Sequence, residues 1–171
     1  MIYAPITAAD LPEVAEVING AYRGNDGRAG WTHEAHLVAG NRTDAEELAA
    51  DLAANPQALI LGVRADADGP LLGSVWLNPS ADGAWYLGLL AVRNTGQAQG
   101  VGRQLLEAGE ALAAKAGAQR MRLTVIHVRA DLIGWYERRG YVATGESEPF
   151  PANYTTLQDG LQLMHMEKRL G

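Results

Sequence analysis

Gln97-Ala98-Gln99-Gly100-Val101-Gly102 is the stretch on which the reading of the fold turns. Before it lies an apolar run, Trp85 to Val92, that reads as a buried strand. After it Val101, Leu105, Ala108, Leu112 and Ala116 recur at helical spacing. A strand end, a small-residue loop and a helix start together make a place for an anion. The first N–H groups of a helix have no partner within it, and the helix dipole adds about half a positive charge there. Gly100 and Gly102 carry no side chains to keep a phosphate off the backbone.

Two common phosphate loops do not fit. A P-loop ends in Gly-Lys-Ser/Thr, whereas Gly102 is followed by Arg103-Gln104. The dinucleotide fingerprint needs a further glycine where Leu105 stands. The segment resembles instead the Gln/Arg-x-x-Gly-x-Gly/Ala loop of the GNAT superfamily, the acyl-CoA-dependent N-acyltransferases, through Gln97, Gly100 and Gly102. The resemblance implies that Gln97, Ala98, Gln99, Gly100, Val101, Gly102 and Arg103 cradle the pyrophosphate of coenzyme A. A helix start with two chance glycines is the plainer alternative.

Length and composition bound the rest. The chain has 171 residues, 47% of them hydrophobic, with a net charge of −6 and no cysteine. One domain over residues 1–171 is expected, with no disulfide framework and no Cys nucleophile. No apolar run approaches the roughly 18 residues that span a bilayer. Met1-Ile2-Tyr3-Ala4 lacks the basic start of a signal peptide, so a cytoplasmic protein is expected. The acidic balance argues against nucleic acid as a partner. No membrane partner is expected, and a homodimer is compatible with the sequence.

Read in order, Ile2, Ala4 and Ile6 alternate as a short strand with one buried face. Asp10 and Glu13 suggest a capping box for a helix over Leu11 to Tyr22. A short helix is expected from Thr32 to Ala39. Thr43 and Glu46 suggest a second capping box, for a helix that ends near Asn55-Pro56. Ala58–Val63, Leu71–Leu77 and Ala84–Val92, joined by tight turns, read as an antiparallel meander. A helix to Lys115-Ala116, a strand Met121–Val128, a helix Ala130–Arg139 and a strand from Tyr141 follow. Glu146 to Gly160 reads as a polar loop before a last strand, Leu161–Lys168. This element order is similar to that of the GNAT fold. The fold class is therefore α/β (α+β), with a mixed central sheet of about seven strands, splayed central parallel strands and about four helices.

Trp135-Tyr136-Glu137-Arg138-Arg139-Gly140-Tyr141 resembles the family's Phe/Leu-Tyr-x-x-x-Gly-Phe segment. The resemblance implies that Tyr136 sits near the CoA sulfur and is the catalytic general acid. A phenol of ordinary pKa about 10 can donate a proton at neutral pH. The alternative is a core aromatic. Arg129 departs from the family's common Asn and either contacts the cofactor or stands solvated at a helix start. The resemblance also implies an oxyanion donor on the strand backbone, at Leu90, Ala91 or Val92. No carboxylate stands on that strand, and Glu34, His127, Glu146 and Glu148 are the base candidates by residue type. His33-Glu34-Ala35-His36 lacks the spacing of a zinc-protease motif, and no metal is expected. Gly24–Arg42 and Glu146–Gly160 are implied as the acceptor-binding regions, with Trp31, Glu34 and His127 as candidate substrate residues. The implied activity is acetyl transfer from acetyl-CoA to a small-molecule or peptide amine. A non-catalytic acyl-CoA sensor of the same fold is the alternative.

Overall fold

The computed structural model describes residues 1–24, 33–94 and 99–171. β1 (Ile2–Pro5) leads through a 3-10 turn (Ala8–Asp10) into α1 (Leu11–Arg23). β2 (Val38–Ala39) and α2 (Ala45–Ala54) precede the meander β3 (Leu59–Arg64), β4 (Leu71–Pro79) and β5 (Ala84–Val92). Then come α3 (Val101–Lys115), β6 (Arg120–Ile126), α4 (Ala130–Glu137), β7 (Val142–Pro149), β8 (Thr155–Thr156) and β9 (Gln162–Arg169). A 7-stranded sheet runs in the order β1-β3-β4-β5-β6-β9-β7, and β2 pairs with β8 apart from it. Every pairing in the large sheet is antiparallel except β5 with β6. The mixed sheet and four α-helices agree with the expected fold.

Helical spacing decides which face each helix covers. On α1 Leu11, Val14, Ala15, Ile18 and Ala21 are buried, with Leu48 of α2, against Ile60, Leu71, Trp76 and Ala91. On α3 Val101, Leu105, Leu106 and Ala113 are buried against Val75, Leu77, Leu87 and Leu90 on the other face. Tyr136 and Tyr141 belong to this second core. Fully burying one Leu, Val or Ile side chain is worth about 1.5–3 kcal/mol, so the two apolar stripes hold the layers together.

β5 and β6 pair only from Ala84↔Arg120 to Tyr86↔Arg122. Beyond that β5 keeps β4 as partner as far as Val92, and β6 keeps β9 as far as Ile126. The two parallel strands therefore part company, as the resemblance implied. A charge clasp sits at their paired end. Asp82 accepts from Arg122 Nη1 at 2.6 Å and from the Ala84 N–H at 3.2 Å, while Arg122 Nε donates to Glu167 of β9 at 2.8 Å.

The Ala84 N–H and then Arg122 hold the Asp82 carboxyl below its ordinary value. A carboxyl with a lowered folded pKa stabilises the fold above the ordinary carboxylate range. It loses that contribution as pH falls through the folded value. Asp82→Asn should therefore give a shallower fall in melting temperature between about pH 6 and about pH 3 than the parent shows. Parallel melting curves would show that the clasp adds nothing.

Local details differ from the expectations in five places. β1 is exposed along its whole length, because it is an edge strand with no helix over it. Asp10 does not cap α1 with its side chain; it accepts instead from the N–H and hydroxyl of Thr7, at 3.2 and 3.0 Å. Glu13 turns to the Leu71 N–H at 2.7 Å and to Arg64 and Arg93. Asp44, not Thr43, caps α2, accepting from the Glu47 N–H at 2.8 Å. Of the helix expected over Thr32–Ala39, Thr32 lies outside the described residues. Ala35–Leu37 form a turn and Val38–Ala39 pair with Thr155–Thr156. The loop expected from Glu146 begins as strand, since β7 runs to Pro149 along the exposed edge.

Candidate active site

The register of β5 breaks where the strands part. Ser74 lies opposite Ala91 and Trp76 opposite Gly88, so Val75 faces two residues, Leu89 and Leu90. That is a β-bulge. Leu89 has φ +51°, the sole positive φ on a non-glycine among the described residues. Such a conformation costs an L-residue about 1–2 kcal/mol and persists where packing over-determines it. The Arg93 N–H donates to Leu72 O at 2.8 Å, so Arg93 and Ala91 direct their amides to β4. Antiparallel alternation then turns the Leu90 amide the other way, toward the gap beside β6.

A cavity of about 310 Å³ lies at this gap. Leu87–Leu90 of β5 and Leu123–Ile126 of β6 form its sheet wall. Leu132 and Tyr136 come from α4, Tyr22 from α1, and Phe150, Pro151, Asn153 and Tyr154 from the segment after β7. Glu34, Arg42 and Leu163 of β9 complete it. Tyr136 is 6% exposed and packs edge-on against Trp135 and Tyr141, with centroids 5.0 and 5.6 Å away. Burial first, then the neighbouring phenols Tyr22 and Tyr86, push its hydroxyl well above the ordinary phenol value, so it keeps its proton. Across the cavity the hydroxyls of Tyr86 and Thr124 share a hydrogen bond at 3.2 Å.

The expected residues fall into three groups. Leu90, Tyr136 and Glu34 line the cavity. Glu34 is buried and paired with the equally buried Arg23, which also donates to Gly40 O at 2.9 Å. Gln99, Gly100, Val101, Gly102 and Arg103 stand together where α3 begins, with Gly100 as its left-handed cap at φ +75° and open space where a Cβ would be. Arg103 is exposed and lies 3.6 Å from Glu107.

Other candidates stand apart. Ala91 and Val92 are buried in the cores on opposite faces of the sheet and do not line the cavity. His127 is exposed and off the cavity, its Nδ1 accepting the Gln162 N–H at 3.0 Å. Glu146 and Glu148 are exposed on β7. Arg129 is buried rather than solvated, forked onto Asp131 at 3.2 Å to each carboxylate oxygen. Gln97, Ala98 and Trp31 lie outside the described residues. A second cavity, about 360 Å³, collects Arg103, Arg138, Arg139 and Lys168 with Glu107 and Glu110 beside the start of α3.

Reading the sequence missed Tyr22, Arg42, Tyr86, Thr124, Phe150 and Tyr154 as individual cavity residues. The two segments holding Arg42, Phe150 and Tyr154 were the expected acceptor regions. Tyr86 and Thr124 carried no local signal, because it is the parting of β5 and β6 that makes them neighbours.

Comparison with known proteins fits this geometry. The model of the Acetyltransferase (GNAT) family matches residues 26–141. No curated protein sequence matches the chain significantly. Among solved structures, ribosomal-protein-alanine N-acetyltransferase from Brucella melitensis superposes with a TM-score of 0.71 at 18% identity, covering 99% of this chain and 100% of that one. IAA acetyltransferase from Bacillus cereus gives 0.65 at 12% identity, covering 99% of both chains. The yncA protein of Salmonella typhimurium, solved with its cofactor acetyl-CoA, gives 0.70 at 20% identity, covering 100% of this chain and 94% of that one. At such identities the likeness establishes the fold, and the neighbours' differing acceptors do not carry over. The family model spans more than half of the chain, from before β2 to the residue preceding β7, and takes in the bulge, the start of α3 and Tyr136: the chain belongs to the acetyltransferase (GNAT) family, whose cofactor is acetyl-CoA.

Proposed function

We propose that this protein transfers the acetyl group of acetyl-CoA to the nitrogen of an amine. One observation carries the reading: the bulged Leu90, the parted strands β5 and β6, and Tyr136 all meet in a single cavity. The residues suit the cofactor. Parted strands leave peptide groups for the pantetheine amides to pair with, as an added strand would. Gly100 and the first turn of α3 offer N–H groups and the positive end of a dipole to its phosphates, with Arg103 alongside. Arg138, Arg139 and Lys168 add positive charge nearby. Bound acetyl-CoA supplies an activated thioester that an amine can attack directly, without a Cys nucleophile.

The chain's own groups then have defined tasks. The Leu90 N–H donates to the oxygen on which negative charge grows, and one well-aimed donor of this kind is worth about 3 kcal/mol. Tyr136 Oη keeps its proton through burial and gives it to the departing sulfur. Glu34 is the one carboxylate among the described residues lining the cavity, and Arg23 already holds it. The amine proton is therefore assigned to water. The lack of an unpaired carboxylate also favours the second reading, an acyl-CoA sensor.

A screen of amines, amino acids and peptides separates the two. CoA release together with an acetylated product that resists hydroxylamine identifies N-acetyl transfer. Tight acetyl-CoA binding with no product from any acceptor identifies the sensor.

A further inference from the structure

Arg42 stands on the wall of the same cavity, half-buried, and among the described residues its charge is unmatched. Among the described residues no carboxylate lies within 4.0 Å of its nitrogens. Glu47 and Asp51 share a smaller adjoining cavity with it but form no ion pair. Its guanidinium carbon lies 5.8 Å from the Tyr22 ring centre and 5.5 Å from that of Tyr154. Nη1 donates to Tyr154 Oη at 2.8 Å, and Tyr154 Oη donates to Arg42 O at 3.2 Å. The fork is thus held in place by two rings and one hydroxyl, with most of its five donors uncommitted.

The contrast with Arg23 is informative. Arg23 is neutralised by Glu34 within the fold, whereas Arg42 faces the cavity as a net positive charge in a chain of net charge −6. Aromatic flanks fix a guanidinium without taking its hydrogen bonds, which suits two-point capture of a carboxylate or phosphonate. The cavity is also small, at about 310 Å³, which is the lower end of the range for ligand sites.

We infer that the acceptor is a small amine that also bears an anionic group, in the manner of a free amino acid or an aminoalkylphosphonate, and that Arg42 receives that group. The inference rests on the acetyltransferase reading above and names its acceptor class. Arg42 is a specificity-determining residue here and takes no part in the bond changes.

The test uses the full chain with acetyl-CoA and free L-α-amino acids, each beside its α-amide, together with aminoalkylphosphonates and short peptides. At least one anionic amine should exceed its neutral counterpart in kcat/KM by about thirtyfold or more. Arg42→Gln should collapse that ratio to within about threefold, chiefly through KM, and leave acetyl-CoA affinity by calorimetry within about twofold. Arg42→Lys, which keeps the charge but not the fork, should retain part of the preference. Acids and amides that react equally well in the parent would overturn the proposal. So would a peptide N-terminus that outruns every anionic small amine, or an Arg42→Gln variant that slows acids and amides alike. If no amine is acetylated, the acetyltransferase reading has failed, and binding decides the Arg42 question separately. Titration of N-acetyl amino acids and their amides into the CoA-loaded protein should then favour the acid in the parent and not in Arg42→Gln. Equal binding of acid and amide would refute anion capture.

Discussion

Tyr136→Phe is expected to lower kcat for CoA release by about a hundredfold or more. Acetyl-CoA affinity should stay within about fivefold, the scale of one neutral hydrogen bond. The variant keeps the ring, so its edge-on contacts with Trp135 and Tyr141 survive and the melting temperature should barely change. No hydrogen bond to the Tyr136 hydroxyl occurs among the described residues, although the group lines the cavity. A hydroxyl with nothing to hold in the resting protein has little structural work to lose. Near-equal rates in two folded proteins would remove Tyr136 from the chemistry and leave water to protonate the sulfur. A large drop in melting temperature would make it a core aromatic instead.

Glu34→Gln is expected to cost about 3 kcal/mol of stability, because it leaves the Arg23 guanidinium buried without its counter-charge. Arg23 and Glu34 side chains are 3% and 8% exposed, and Arg23 Nη2 already lacks a hydrogen-bond partner. For a chain of this size the melting temperature should fall by roughly 6–12 °C. The pair ties the end of α1 to both flanks of β2, through the Glu34 N–H to Tyr22 O before it and Arg23 to Gly40 O after it. Its loss should therefore loosen the wall that presents Tyr22 and Arg42. Replacing both partners together, Arg23→Met with Glu34→Leu, should recover most of the stability, since an apolar pair carries no desolvation penalty. If the single variant melts with the parent, water in the cavity already solvates the charge.

The sequence revealed the meander because Asp66–Pro70 and Asn78–Gly83 punctuate it with turn residues, and α1 and α3 because their apolar spacing is regular. It pointed to the cavity through Leu90, Glu34 and Tyr136, and through the two segments that supply Arg42, Phe150 and Tyr154. It did not reveal the bulge. Every residue from Trp85 to Val92 is apolar or glycine, so no alternation marks which side chain faces which core. β7 reads as loop from Glu146 because it lies on an exposed edge, where neither face needs to be apolar. Glu13 reads as a local cap because its partners, Leu71, Arg64 and Arg93, are distant in the chain. Arg129 illustrates the same limit: an arginine at a helix start looks solvated until Asp131 is seen to let it be buried.

The bulge has a consequence for how this strand tolerates insertion and loss. Before it, Trp85 and Leu87 face the α3 core and Tyr86 the α1 core; after it, Leu90 and Val92 face α3 and Ala91 faces α1. The stride along the strand is thus two residues everywhere except between Leu87 and Leu90, where it is three. Deleting Leu89 alone would restore an unbroken stride at the loss of one half-buried leucine from the α1 core. Such a chain should fold and melt close to the parent, since relief of the left-handed Leu89 offsets the loss of its packing on the α1 core. It should nonetheless be catalytically silent, because without the bulge β5 can run on alongside β6, and the Leu90 amide, which points that way, would be taken up by that ladder. Catalysis in this reading hangs on a single supernumerary residue, a flaw in the pleat that a frame-perfect strand would repair. Measurable acetyl transfer by the folded deletion variant would show that the oxyanion donor lies elsewhere.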